Sequence, residues 1–384
     1  MVAAYFKQDN QLKMQIGILT LPFNNNYGGY LQAYALMTVV KQLGHEPNMI
    51  MRRHDKPKVS CSFKIKYALK GIVKTFLRFK KYPIIYNVET DYLQKGRNML
   101  RFVNQYIKPQ SPYLYSKEEL CKYCLGKFDA YIVGSDQIWR AIYVPDIKNY
   151  FLDFTEGWDV KRIAYAASFG TDKPEYTEEQ ILQCKQLIDH FDVVSLREKS
   201  GLSVLSEFGW NANVGGVVLD PTLLLAANDY LKVLPTISSE AKDKIFYYVL
   251  DRNNQINAVL NQVSQTLHKK LYGISDIQRG KEPLASIEEW LMDIRDSEFV
   301  VTDSFHGMVF SVIFHKPFMV LVNKGRGSDR FDSLLSLLGL SDRMLMGEEN
   351  INKIVGSSIV WSIVDEKISY LKQRSMSFLK QNLI

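Results

Sequence analysis

The run FVVTDSFHGMVFSVIFHKPFMVL at Phe299–Leu321 decides how this chain is read. Its pattern predicts a buried strand at Phe299–Thr302, a short polar loop at Asp303–Phe305, a helix opening at His306-Gly307 and a second strand after Pro317. In open α/β sheets, ligands bind beyond the carboxyl ends of strands, where helix N-termini point N–H groups at anions. A loop that offers Asp303, Ser304 and His306 at such a place is a candidate site. Capping alone also accounts for an aspartate and a serine at a helix start. Both readings stand on local grounds.

The same alternation extends outward in both directions. Met14–Thr20 reads as an apolar strand, followed by a polar loop ending in Gly28-Gly29, a helix over Tyr30–Leu43 stopped by Gly44, and a strand at Pro47–Met51. The glycine pair lets backbone approach a ligand closely, and the helix start favours an anion. It is neither a GxGxxG fingerprint nor a P-loop. Further strands at Ala130–Val133, Arg162–Ala167, Val193–Leu196 and Asn213–Leu219 each end in a small polar loop. Leu234–Lys244 reads as a linker, and a second alternation starts at Ile245. The expected fold class is α/β, with two Rossmann-like doubly wound domains facing a cleft. The expected boundaries are 1–233, with a basic helical insertion near 52–110, then 244–350, and a C-terminal helix over 360–384 that packs back on the first domain.

Composition limits the alternatives. With 384 residues, 46% of them hydrophobic, the chain is long enough for two cores and too apolar for disorder. No apolar run reaches the ~20 residues of a membrane span, and the N-terminus lacks the pattern of a signal peptide, so a cytoplasmic location is expected. Cys121 and Cys124 have the spacing of half a zinc site, but no second pair completes it and no metal is expected. Positive charge is concentrated in Arg52–Lys81, where eleven Lys and Arg stand against Asp55 alone. That segment carries +10 of a total of +7, which leaves −3 for the rest. This is not the spread expected of a nucleic-acid groove. Leu69, Ile72, Val73 and Phe76 share one helical face beside Lys66, Lys70 and Lys74. Two readings follow: an interfacial helix on an anionic membrane, or an amphipathic helix docked on its own domain with its lysines solvated. The second is the default.

Seven loops occur in a fixed order: Asn26-Tyr-Gly-Gly29, GSDQIW at 134–139, YAASFG at 165–170, SLREKSG at 195–201, LDPT at 219–222, TDSFHG at 302–307 and GRGSDR at 325–330. In that order the chain resembles the polysaccharide pyruvyl transferase family over almost its whole length. The resemblance implies a GT-B-like fold. It also implies transfer of pyruvate from phosphoenolpyruvate to a pair of sugar hydroxyls as a cyclic ketal, in bacterial surface polysaccharide biosynthesis. The acceptor would be a sugar, often lipid-linked, which would place the protein at the inner face of the membrane. Phosphoenolpyruvate would be the donor substrate, with no separate cofactor.

Such chemistry needs an acid, a base and an anion cradle. His306 matches the family's histidine and is the first candidate for acid/base work. Asp136 is the candidate base or acceptor-orienting group. Arg197, Arg326, Arg330, Ser304, Gly28, Gly29 and Ser135 are the candidate substrate-binding residues. Asp220, before Pro221, reads as a turn-holding residue, and Arg197 has a surface ion pair with Glu198 as its plainer reading. Where many relatives have Arg-Leu-His, this chain has Ser304-Phe305-His306, so either Arg326 or Arg330 stands in for the missing guanidinium or donor binding differs. The competing readings are a nucleotide-sugar glycosyltransferase of the same architecture, with Glu282, Glu288 or Glu289 gripping a ribose, and a non-catalytic module at a membrane surface.

Overall fold

Buried parallel strands need apolar residues on both faces, and that is how the central strands of both sheets are composed. In the computed structural model, β1 (Gln15–Leu19), β4 (Ala130–Asp136), β5 (Lys161–Ala167) and β6 (Val193–Leu196) form the middle of a seven-stranded sheet. The structure describes residues 12–24, 26–54, 61–78, 96–171, 173, 175–274, 283–322, 329–345 and 351–384. With β2 (Glu46–Arg52), β3 (Gln110–Leu114) and β7 (Val214–Val217), the order is β3-β2-β1-β4-β5-β6-β7, all parallel. Strand order reverses between β1 and β4, the point at which doubly wound sheets open a crevice.

The second sheet has the order β12-β11-β10-β8-β9 and is also parallel. It comprises β8 (Ile245–Tyr248), β9 (Leu271–Gly273), β10 (Phe299–Thr302), β11 (Phe318–Leu321) and β12 (Met344–Leu345). Its order reverses between β8 and β10, so the strand that opens the deciding sequence stretch lies at the second switch point. Two strands had no sequence signal. β3 contains Pro112, and a proline is tolerated there because β3 is an edge strand paired only to β2. β12 is only two residues long. Within the basic insertion expected near 52–110, one helix runs from Arg97 to Tyr106.

The two halves share one apolar cluster. Helix α1 (Tyr27–Gln42) follows β1, and its first residue enters the second half. Tyr27 stacks on Trp290 at 5.4 Å, meets Tyr248 edge-on at 5.7 Å, and donates its hydroxyl hydrogen to the Ala285 carbonyl at 3.2 Å. The C-terminal helix (Trp361–Asn382) lies against both halves. Lys367 donates to the Leu338 carbonyl, while the Leu219 amide donates to Ser375 Oγ at 3.0 Å and Phe378 packs on Tyr165.

Near the seam, the helix Ile287–Asp296 buries Asp293. Burial, with the charges of Glu289, Asp296 and Glu240 adding to it and a Ser239 hydrogen bond opposing, pushes its carboxyl up to about 7. The folded state therefore holds this proton over a range in which the unfolded chain has lost it. Stability from this group is full below about pH 4 and is lost as pH rises through about 7. Asp293→Asn is expected to gain roughly 2–4 kcal/mol over the native protein at alkaline pH and nothing at acid pH. Urea denaturation across that range measures it.

Candidate active site

Every loop that faces the cleft leaves the carboxyl end of a strand. From the first half come the start of α1 after β1, Asp136 at the end of β4, Arg197 after β6 and Asp220 after β7. From the second half come Thr302–His306 after β10 and Arg330 in the first turn of the helix Asp329–Leu338. A cleft of about 440 Å³ opens here, lined by residues that include Asn24, Asn26, Asp136, Tyr143, His306 and Arg330, while Arg197 and Asp220 lie beside it rather than in its lining.

Beside the cleft lies a buried charge cluster. Arg197 Nη1 is 2.9 Å from Asp220 Oδ2 and 3.2 Å from Asp136 Oδ1, and all three side chains are almost fully enclosed. Asp220 is held from several directions. Its Oδ1 accepts from the amide and hydroxyl of Thr222, and its Oδ2 accepts from Ser135 Oγ at 3.2 Å. Across the seam, His306 Nε2 stands 3.6 Å from the same Oδ2. Burial alone would raise the Asp220 pKa, but His306, Arg197 and Thr222 outweigh it and hold the carboxyl well below the usual range. Burial pushes Glu198 up against the opposing charge of Arg197. Burial also brings Arg330 down to about 10, with Arg197 adding to the effect and Asp136 opposing it.

The ring of Phe305 lies 4.6 Å from the Arg197 guanidinium and 5.8 Å from that of Arg330. Two guanidiniums thus flank the residue beside Ser304, where the resemblance called for an arginine. Two helix N-termini open nearby. Asn26 makes no side-chain cap on α1, whereas Ser304 caps the helix Phe305–Ile313 by accepting from the Gly307 amide at 3.4 Å. Unfilled amide donors at a helix start attract anions.

The expected residues sort as follows. His306, Asp136, Arg330, Ser304 and Gly29 line the cleft. Ser304 is cap and lining residue together, so its two readings do not exclude each other. Gly28 sits directly under His306, and a Cβ there would overlap the imidazole. Ser135 is fully buried and faces Asp220 rather than the cleft; its hydroxyl has two acceptors at 3.2 Å for its one hydrogen, Asp220 Oδ2 and the Ala166 carbonyl. Arg197 is not in a surface pair: Glu198 is buried beside it at 3.7 Å, and its closer partners are the two aspartates. Arg326 lies outside the described residues. Of the acidic residues considered for a ribose, Glu289 accepts from the Ser286 amide in a capping box, and Glu282 also lies outside the described residues. Asp303 accepts from the Leu250 and Asp251 amides and so ties the β10 loop to the β8 loop. Cys124 is buried, and among the described residues no group of three or more His, Cys, Asp or Glu is arranged to hold a metal.

Sequence reasoning undervalued Asp220. Its turn-holding role is present, but only one carboxylate oxygen serves it. The other organises three residues from two β-loops and the opposite half. The signal available was an aspartate at a strand end in a chain with several such loops.

Removing one partner from a buried ion pair strands the other, so Asp220→Ala should cost about 3–5 kcal/mol in urea unfolding. Because its carboxyl pKa is depressed, the stability contributed by the charge is present above about pH 4 and lost as pH falls further. The gap between native protein and Asp220→Asn is therefore expected to be full near neutrality and to shrink in acid.

A family model described as polysaccharide pyruvyl transferase matches residues 26–325. That span takes in six of the seven loops and stops before Arg326 and Arg330. No curated protein matches the chain. Among solved structures, a putative UDP-N-acetylglucosamine 2-epimerase from Listeria monocytogenes aligns with a TM-score of 0.50 and 13% identity, over 94% of this chain and 91% of that one. UGT89C1 from Arabidopsis thaliana, solved with quercetin, aligns with a TM-score of 0.50 and 9% identity, over 97% and 99%. Likeness at such identities speaks for the fold alone, which is GT-B, with two parallel α/β domains. The family match covers well over half of the sequence and includes all but the last of the loops that build the cleft, and the chain belongs to the polysaccharide pyruvyl transferase family.

Proposed function

We propose that the protein transfers pyruvate from phosphoenolpyruvate to two hydroxyls of a sugar, forming a cyclic ketal and releasing phosphate. The observation that carries this reading is the meeting of His306 and Asp220 from opposite halves, 3.6 Å apart, beside Arg330 and the start of α1. A donor with a carboxylate and a phosphate needs cations and N–H donors on more than one side. Arg330 and the two helix starts suit the phosphate. Arg197 is held in place by its two aspartates, and among the described residues its Nη2 has no hydrogen-bond partner while its Nε has only Glu198 at 3.7 Å.

In this reading an imidazolium at His306 gives its proton to the donor's methylene carbon, which becomes the methyl group. Asp220 keeps the ring oriented and stabilises its charge. The double-bond electrons take up the proton and C2 becomes electron-poor. One sugar hydroxyl adds there and surrenders its proton to Asp136, whose Oδ2 has no hydrogen-bond partner among the described residues. The C2–O bond to phosphate breaks, phosphate leaves, and the second hydroxyl closes the ring. Its proton departs with the phosphate. The acceptor is a polysaccharide building unit, and a lipid-linked form at the inner face of a bacterial membrane fits the location proposed below.

Phosphoenolpyruvate near 100 times its dissociation constant should stabilise the fold by about 2.7 kcal/mol, which a thermal shift detects without knowledge of the acceptor. His306→Ala is expected to lower phosphate release by roughly 10²–10⁴-fold at a temperature where the variant is still folded, and to lower the melting temperature as well, because it takes a buried partner from Asp220. Stabilisation by a nucleotide sugar in place of phosphoenolpyruvate would select the glycosyltransferase reading.

A further inference from the structure

Helix α2 (Cys61–Arg78) is built the wrong way round for a helix docked on its own domain. Ile65, Leu69, Ile72, Val73, Phe76 and Leu77 are 60%, 57%, 47%, 54%, 84% and 76% exposed. At about 100° per residue these six fall within an arc of roughly 140°, a mainly apolar stripe that also takes in Ser62 and Lys66. Among the described side chains, those covered are instead buried Gly71 and half-buried Tyr67, Ala68 and Thr75. The default expectation of a helix docked by its apolar face is thus not met: glycine, alanine, threonine and one tyrosine face inward and the apolar face points out, while Lys66 and Lys70 are exposed as expected.

Charge identifies what that face meets. The helix contains Lys64, Lys66, Lys70, Lys74 and Arg78 and no acidic residue. Exposed Lys70 borders the apolar stripe, and exposed Lys66 lies within its arc, between Val73 and Leu77. A mainly apolar stripe with lysines in and beside it is complementary to a surface with a hydrocarbon interior and anionic headgroups. Among the described residues no helix is long and apolar enough to cross a membrane, so α2 would lie on the surface rather than span it. The helix also begins close to the cleft. His54, at the end of β2, lines the cleft, and the seven residues from there to Cys61 can reach at most about 25 Å.

We propose that α2 is an interfacial anchor that seats the protein on an anionic lipid bilayer, with the apolar stripe at the headgroup boundary and the lysines on the lipid phosphates. The inference stands independently of the reaction proposed above, because no residue of the stripe lines the cleft. It sets the mouth of the cleft within a few nanometres of the bilayer, where an acceptor carried on a lipid would be met.

Vesicle flotation of the full chain tests it, with phosphatidylcholine vesicles compared with vesicles containing about one-third phosphatidylglycerol near physiological salt. Binding is expected to the anionic vesicles and to weaken with added salt. Lys66→Gln with Lys70→Gln should lower partitioning roughly thirtyfold, at about 1 kcal/mol for each lysine removed. Leu69→Ser with Phe76→Ser should abolish binding without changing the melting temperature, since both side chains are exposed. Absence of binding to anionic vesicles overturns the proposal, as does equal binding to neutral ones. So does a lipid-free dimer that dissociates in the Leu69→Ser, Phe76→Ser variant, which would give the stripe to a second copy of the chain. Phosphoenolpyruvate-dependent stabilisation, read on the same variants, keeps a failure of this idea separate from a failure of the donor assignment.

Discussion

The carboxylate of Asp220 is the point on which the site depends. A charge buried this completely is tolerated only when hydrogen bonds and opposite charges satisfy it. Thr222 satisfies one oxygen from within the turn, and the other reaches Ser135, Arg197 and His306. The loops after β4, β6, β7 and β10 are thereby referred to a single group. Because His306 comes from the second half and Asp220 from the first, the geometry of the candidate acid depends on how the halves are seated against each other.

That seating is largely an aromatic matter. Tyr27 begins α1, reaches into the second half and stacks on Trp290, while Tyr248 and Phe310 close on Trp290 edge-on. At the next residue the absence of a side chain matters as much: Gly28 leaves room for the His306 ring, and no other residue type fits there without displacing it. The glycine that first suggested close approach to a ligand serves instead close approach of a catalytic candidate. Packing and chemistry therefore meet in the first turn of one helix, where an aromatic ring holds the seam and a missing Cβ positions the imidazole.

Much of the fold was legible because parallel strands buried on both faces leave uninterrupted apolar runs, and helix starts carry caps such as Ser304 and Ser286. What was missed was short or at an edge. β3 carries a proline that only an edge strand tolerates, and the two residues of β12 have no periodicity to detect. The site was legible as a set of strand-end loops, and His306, Asp136 and Arg330 do line one cleft. Ser135 and Asp220 exchanged weight: the serine lies behind the cleft as a support, while the aspartate read as a turn residue holds the cluster together.

By itself the sequence determined which loops stand at strand ends, since local periodicity and capping depend on neighbours along the chain. It also determined the family, through the order of those loops. Only the tertiary structure decided which oxygen of Asp220 faces His306, that Arg197 answers to two aspartates, and that two guanidiniums flank Phe305. The direction of the apolar stripe of α2 was likewise a tertiary matter. An amphipathic pattern states that a helix has an apolar face; whether that face points in or out depends on what else in the fold is close enough to cover it, and for α2 six apolar side chains remain exposed.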